Sequence, residues 1–428
     1  MTNVSSWVES ANGSGTGFGI ENLPYALFRT TELKKPSLGI GIGDKILDLR
    51  RCADEGFLNS LPLEIQEACR GVHLNELMAL GKSAWSSLRA RITELLLAAS
   101  EEWRTHRHAL ENLLVPMAGA ELLLPVNIGN YTDFYASLNH AENVGRLFRP
   151  DQPLFPNYKH VPIAYHGRSS SIVVSGTPIP RPSGQKRPGG MDAPMFGPTQ
   201  ALDFELEIGM LIGSGNRLGE PIGFNEAESH IFGVCLVNDW SARDIQSWEY
   251  QPLGPFLSKS FATTVSPWIV PMAALEPYRV PLARSEGDPP PLAYLQPENG
   301  ANTIFDVVLE AELSSLDMRR QGYKPLVISK SNLKYLYWSL PQLVTHHASN
   351  GCNLLPGDLL ATGTISGKTE DSKACLLELT RNGGNTLELP TGERRTFLEL
   401  GDEIVIRGWC DREGIAPITL GECRGIVG

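Results

Sequence analysis

The spacing of apolar and polar positions changes near residue 120. Before that point, PYALFR and SLGIGIGDKILDL alternate apolar with small or polar residues around Gly43-Asp44. That pattern predicts strands joined by a tight hairpin turn. Trp85, Leu88, Ile92, Leu95 and Leu96 then recur at helical spacing and predict a helix with one buried face. Pro116 and Pro125 bracket an expected boundary. Residues 1–20, rich in Ser and Gly, read as a flexible arm, residues 21–118 as a small α+β unit, and residues 119–428 as a second domain. In the second part the chain turns to short apolar runs divided by Pro/Gly loops. SIVVSG, LDFELEIGMLIG, IFGVCLVN, IFDVVLEAEL, DLLATGT, LLELT and DEIVIRGW all read as strands. A helix is expected after Ser331, with Leu333, Leu336, Tyr337 and Leu340 on one face. The fold class this predicts is α+β and β-rich, with a closed or rolled sheet.

Charge and cysteine usage narrow the function. A net charge of −11 argues against a nucleic-acid partner, which would require a basic face. The seven cysteines are scattered and form no CxxC pair, so neither a disulfide framework nor a zinc-thiolate site is expected, and a reducing, cytoplasmic setting fits. No apolar run reaches the roughly 18 residues a membrane span needs. The first residues lack the basic and apolar segments of a signal peptide.

Three stretches carry candidate chemistry. In LDFELEI, strand periodicity puts Asp203, Glu205 and Glu207 on one face, either as a solvated acidic face or as a cation site. In NDWSARDIQSWEY, a helix starting at Asp239 would line up Asp239, Arg243, Gln246 and Tyr250. Such a stripe suits a site wall, although a solvated face capped by Asp239 gives the same pattern. In YTDFYASLNH, a helix capped by Thr132 or Asp133 would put Asp133 and His140 on roughly one side, two turns apart, and a structural histidine is the plainer reading. Tyr165-His166-Gly167-Arg168 reads as a turn. The long loop GTPIPRPSGQKRPGGMDAPMFGP has a length often tied to function.

Competing templates fail. Gly39, Gly41 and Gly43 have the wrong spacing for a dinucleotide fingerprint, and there is no GxSxG, HExxH or phosphate-binding loop. What remains is a set of carboxylates, Asp133, Glu205, Glu207 and Asp239, whose oxygen donors would select a hard cation such as Mg²⁺ or Ca²⁺.

At these residues the chain resembles the fumarylacetoacetase family. The matching stretches include NLPYALF, YTDFYASLNHAENVG, YHGRSSS, LDFELEIG, VNDWSARDIQSWEYQPLGPFLSKSF and THHASNGCNLLPGDLLATGTISG, in order from about residue 22 onward. The resemblance implies a small N-terminal SH3-like barrel-type domain, a C-terminal mixed β-roll and a homodimer. It implies metal binding by Asp133, Glu205, Glu207 and Asp239, with Lys259 and Thr263 at an adjoining magnesium-linked position. It implies His140 as general base, Glu378 as the carboxylate that orients it, and Arg243, Gln246 and Lys259 as donors to the reacting oxygen and leaving group. Tyr135, Arg149, Tyr165, Gln246, Tyr250 and Thr364 are implied substrate contacts. The chain departs from the family at Ala262, where Gly is usual, in the N-terminal arm and in the Pro-rich segment 275–292. The implied reaction is metal-dependent hydrolysis of a carbon–carbon bond in a small diketo dicarboxylic acid, with no nucleic-acid or membrane partner. An acylpyruvase, decarboxylase or hydratase of the same superfamily is the nearest alternative, and a non-enzymatic metal-binding scaffold is a more distant one.

Overall fold

In a computed structural model, residues 5–13, 17–32, 35–189, 192–298 and 302–428 are described. The hairpin forms as expected, with strands Ser37–Ile42 and Lys45–Asp48 joined through Gly43 at φ 58°, a left-handed conformation that favours glycine. These two strands lie inside a five-stranded antiparallel sheet edged by Leu114–Pro116 and Glu121–Leu123. Only residues 117–120 separate the two edges, and they contain a tight 3-10 turn. Five flat strands would hold their edges about 19 Å apart. The short link is therefore met by curling the sheet toward a barrel. Helix Lys82–Leu96 packs on it with Leu88, Ile92, Leu95 and Leu96 buried.

The arm expected over residues 1–20 is docked where it is described. Trp7 stacks on Trp103 with ring centroids 4.2 Å apart, Ser6 Oγ donates to the Leu96 carbonyl, and Val8 and Ala11 are buried. Residues 1–4 and 14–16, also part of that arm, lie outside the described residues.

The larger part is built on an eight-stranded mixed sheet. Its main path runs Ala164–His166, Tyr131–Phe134, Leu359–Ala361, Leu206–Ile212, Ile231–Asp239, Thr263–Val265 and Ile172–Val174, with Val270–Pro271 also pairing on Ile231–Asp239. Two pairings are parallel, Leu359–Ala361 with Tyr131–Phe134 and Thr263–Val265 with Ile172–Val174. Alternation along the strands divides the core. Ile208, Met210, Val234 and Leu236 join the C-terminal core, which also takes in the strands Val308–Ser314 and Glu403–Arg412. Tyr131, Leu211, Cys235 and Val237 on the opposite face pack with the N-terminal unit. Asp133, Glu207 and Asp239 continue the parity of Tyr131, Leu211 and Val237. The acidic positions thus extend the face that the N-terminal unit covers.

Several local expectations change. Asp133 lies in strand Tyr131–Phe134, held by pairing with Leu359–Ala361, and the helix Leu138–Phe148 is capped by Ser137, whose hydroxyl accepts from the His140 N–H. Asp239 ends a strand opposite Thr263, so the helix begins only at Arg243. Tyr165 sits in strand Ala164–His166, directly across from Asp133, not in a turn. LLELT is a short helix, Leu376–Leu379. Ser331 lies within strand Leu326–Asn332, and the helix begins at Leu340 behind the Ser339 capping box, with Pro341 in its first turn. The 176–198 loop folds part of its length into a hairpin, Ser183–Lys186 with Met195–Pro198, while Gly190 and Met191 lie outside the described residues. A Cβ built at Gly184 would come within 2.8 Å of Ile245, so this hairpin leans directly on the helix Arg243–Glu249.

Candidate active site

Three strands place Asp133, Glu207 and Asp239 together, and the break just before Leu206–Ile212 adds Glu205, with one carboxylate oxygen of each within 4.8 Å of the others. All four residues are buried. Asp203 does not join them. The strand breaks at Phe204 and Glu205, which turns Asp203 away toward Arg243.

The electrostatics of the four differ. Burial pushes the Asp133 and Glu207 carboxyls well above their ordinary range, and the neighbouring carboxylates push them further. Both Glu207 oxygens and Asp133 Oδ1 are buried without a hydrogen-bond partner. Burial opposes the ionised form of Glu205 as well, but the Lys259 and Arg243 charges outweigh it and hold its carboxyl low. Lys259 Nζ donates to Glu205 and, at 2.7 Å, to Asp239 Oδ2. Burial opposes the Lys259 charge, but Asp239 and Glu205 more than offset it and raise its pKa. Thr263 Oγ1 donates to Asp239 Oδ1 at 2.8 Å, and Tyr165 Oη donates to Asp239 Oδ2 at 2.6 Å. Arg243 Nη2 lies 2.8 Å from Glu205 Oε1 as an ion pair without hydrogen-bond alignment. Its Nη1 donates to Gln246 Oε1 at 3.0 Å.

Orphaned carboxylate oxygens crowded into one buried volume are costly unless a cation compensates them. The donor set is all oxygen, so it fits a hard divalent ion. A sign follows for the metal-free protein. Raised carboxyl pKa values mean that the folded state binds more protons than the unfolded one, so stability falls as pH rises above the ordinary carboxylate range. In chelated protein at neutral pH, Glu207→Gln should therefore raise the melting temperature while weakening divalent-cation affinity roughly a hundredfold. Thermal melts and cation titrations check both; unchanged values would put Glu207 outside the cluster's electrostatics.

Beside the carboxylates, His140 Nδ1 lies 2.7 Å from Glu378 Oε2. Glu378 also accepts from Ser366 Oγ at 2.7 Å, Asn143 Nδ2 at 2.8 Å and Cys375 Sγ at 3.2 Å. Burial would raise its pKa, but His140, Asn143 and Ser366 hold it down, so it stays ionised. The Tyr135 ring meets the His140 ring edge-on at 5.2 Å. Thr364 is buried just beyond strand Leu359–Ala361. Arg149 ends the helix that carries His140. Its guanidinium stacks on Phe155 at 4.2 Å, with Nη2 on the Pro153 carbonyl and Nε unpartnered. Tyr250, 37% exposed at the end of the Arg243–Glu249 helix, stands apart from the cluster's hydrogen bonds. Ala262 is buried in the C-terminal core.

The sequence reading missed Asn143, Ser366 and Cys375 as partners of Glu378. Asn143 had a usable signal, since it follows His140 by one helical turn. The other two had none before folding.

Two family models match the chain: Fumarylacetoacetase N-terminal over residues 21–125, and Fumarylacetoacetate (FAA) hydrolase C-terminal over residues 130–427. The chain belongs to the fumarylacetoacetate hydrolase family. It is 45% identical to the fumarylacetoacetase of Oryza sativa subsp. japonica, over 99% of this chain and 97% of that protein. It is 46% identical to those of Rattus norvegicus and Homo sapiens, over 96% of both chains in each case. Among solved structures, a fumarylacetoacetate hydrolase from Exiguobacterium antarcticum superimposes with a TM-score of 0.52 at 17% identity, over 95% of this chain and 99% of that one, a likeness of fold.

Proposed function

We propose that this protein hydrolyses the carbon–carbon bond of 4-fumarylacetoacetate, giving fumarate and acetoacetate, the last step of tyrosine and phenylalanine breakdown. The observation that carries this reading is a buried His140–Glu378 pair at 2.7 Å beside four clustered carboxylates. A site that only held a cation would need no base.

Glu378 accepts at Nδ1 and so leaves His140 Nε2 free to take a proton from water. The water oxygen bonds to the ketone carbon on the fumaroyl side, and the adjacent carbon–carbon bond breaks. The electron pair leaves on the carbon that becomes the methyl group of acetoacetate, and the proton is returned there. Arg243, Gln246 and Lys259 stabilise the developing negative charge. Gln246 is oriented for this, because its Oε1 accepts from Arg243 and its amide N–H groups remain available. A hard divalent cation, Mg²⁺ or Ca²⁺, held by Asp133, Glu205, Glu207 and Asp239 with Lys259 and Thr263 adjoining, would polarise the paired oxygens of the 1,3-diketone. Tyr135, Tyr165, Tyr250, Thr364 and Arg149 complete the substrate contacts. Cation and basic side chains gathered at one place reconcile an acidic substrate with a chain of net charge −11.

The working form in this reading is a cytoplasmic homodimer with no nucleic-acid or membrane partner. All seven cysteines are free, which supports a reducing compartment. No helix among the described residues is long and apolar enough to cross a membrane.

Arg149→Lys should raise KM about tenfold with little change in kcat, because an ammonium cannot reproduce a two-pronged grip on a carboxylate; an unchanged KM would remove Arg149 from the substrate pocket. A substrate panel tests the assignment. Fumarylacetoacetate should exceed acylpyruvates in kcat/KM by roughly a hundredfold or more. Equal or better turnover of an acylpyruvate would favour the superfamily alternative.

A further inference from the structure

Asp203 is fully buried, yet it is neither in the carboxylate cluster nor in the His140–Glu378 pair. Its strand, Leu202–Asp203, pairs with Ser241–Ala242, immediately before Arg243. Its two oxygens accept four donors. Oδ1 takes the N–H of Leu376 at 2.7 Å and that of Phe204 at 2.9 Å. Oδ2 takes the N–H of Leu377 at 2.9 Å and Arg243 Nε at 2.8 Å. One carboxylate therefore grips the guanidinium that faces Glu205 and the two backbone amides just ahead of Glu378, across 40 and about 174 residues of sequence.

We infer that Asp203 is a positioning residue that fixes Arg243 and the Glu378-bearing helix in register, so that the oxyanion donor and the base pair meet the same substrate carbon. This rests on the hydrolase reading of the site above. The geometry gives the guanidinium and the helix one shared anchor. With Nε held by Asp203, the Arg243 fork is left with Nη1 on Gln246 and Nη2 toward Glu205. With both amides held, the short helix Leu376–Leu379 presents Glu378 to His140 from a fixed backbone. A carboxylate is required at this position. A carboxamide would turn its own N–H donors toward at least one of the four donors now satisfied.

The test is a kinetic cycle with Asp203→Asn, His140→Ala and the double variant, with melting temperatures for each. Asp203→Asn should lower kcat about a hundredfold with KM within a few-fold, the scale expected when reacting groups are displaced by about an ångström. In the His140→Ala background the same change should cost tenfold or less, because orienting an absent base has no value and only the loss through Arg243 remains. If Asp203→Asn does not fold, Asp203→Glu carries the same cycle, since it keeps the charge and the acceptor oxygens. Wild-type kcat in the single variant, an equal hundredfold loss in both backgrounds, or failure of both substitutions to fold would each overturn the inference, the last two by assigning Asp203 to the scaffold alone. Full activity of His140→Ala would instead remove His140 as the base, and failure of the wild-type protein to cleave 4-fumarylacetoacetate would sink the hydrolase reading itself, so these failures are distinct from that of Asp203.

Discussion

His140→Ala is expected to lower kcat by about 10³-fold or more, within the range spanned by loss of a general base. Cation affinity and melting temperature should stay near wild type, because His140 is not among the four clustered carboxylates. Glu378→Gln should be nearly as damaging. Its carboxylate accepts at His140 Nδ1, and a carboxamide there can present a donor and favour the wrong tautomer. The double variant should be little slower than His140→Ala alone, since the two act as one unit. Measuring kcat, cation affinity and thermal stability across these four proteins checks each statement. Losses that multiply in kcat, or that show up as melting rather than rate, would leave the pair without a catalytic role.

Exhaustive removal of divalent ions should abolish turnover and lower the melting temperature, and Mg²⁺ or Ca²⁺ should restore both. The stability arm follows from mass action, because an ion that binds only the folded chain stabilises it. It also follows from the orphaned oxygens of Glu207 and Asp133, which repel one another when ionised. Binding should release protons, since both carboxyls are raised, so affinity should climb with pH. Calorimetric titration in buffers of different ionisation enthalpy measures that release. Full activity in protein verified to be metal-free would contradict the reading of the cluster.

Much of this was legible from one-dimensional pattern. The alternation around Gly43, the helix over Lys82–Leu96 and the apolar strands of the second part other than LLELT follow from local periodicity, and packing overrides that reading at LLELT, which folds as a helix. The acidic residues were legible as a group because so many carboxylates near apolar strands require a partner. Their geometry was not. Helical spacing from Asp239 to Tyr250 and from Asp133 to His140 suggested helix faces, but sheet pairing holds Asp239 against Thr263 and Asp133 against Tyr165. Non-local strand partners decide such cases, and spacing along the chain carries no information about them. Glu378 shows the limit most clearly. It reads as part of a strand and lies 238 residues from the histidine it meets. Only the family resemblance associated the two. Asp203 was grouped with Glu205 and Glu207 by strand parity, and the break at Phe204 and Glu205 separates it from them.

The most direct measurement is turnover of 4-fumarylacetoacetate by the metal-loaded protein in ¹⁸O-labelled water, with products identified by mass spectrometry. Attack by water on the fumaroyl ketone carbon should give fumarate and acetoacetate in equal amounts, with one solvent oxygen in a fumarate carboxylate. Release of neither product, or cleavage at the other ketone to give solvent-labelled malonate and 4-oxopent-2-enoate, would contradict the account.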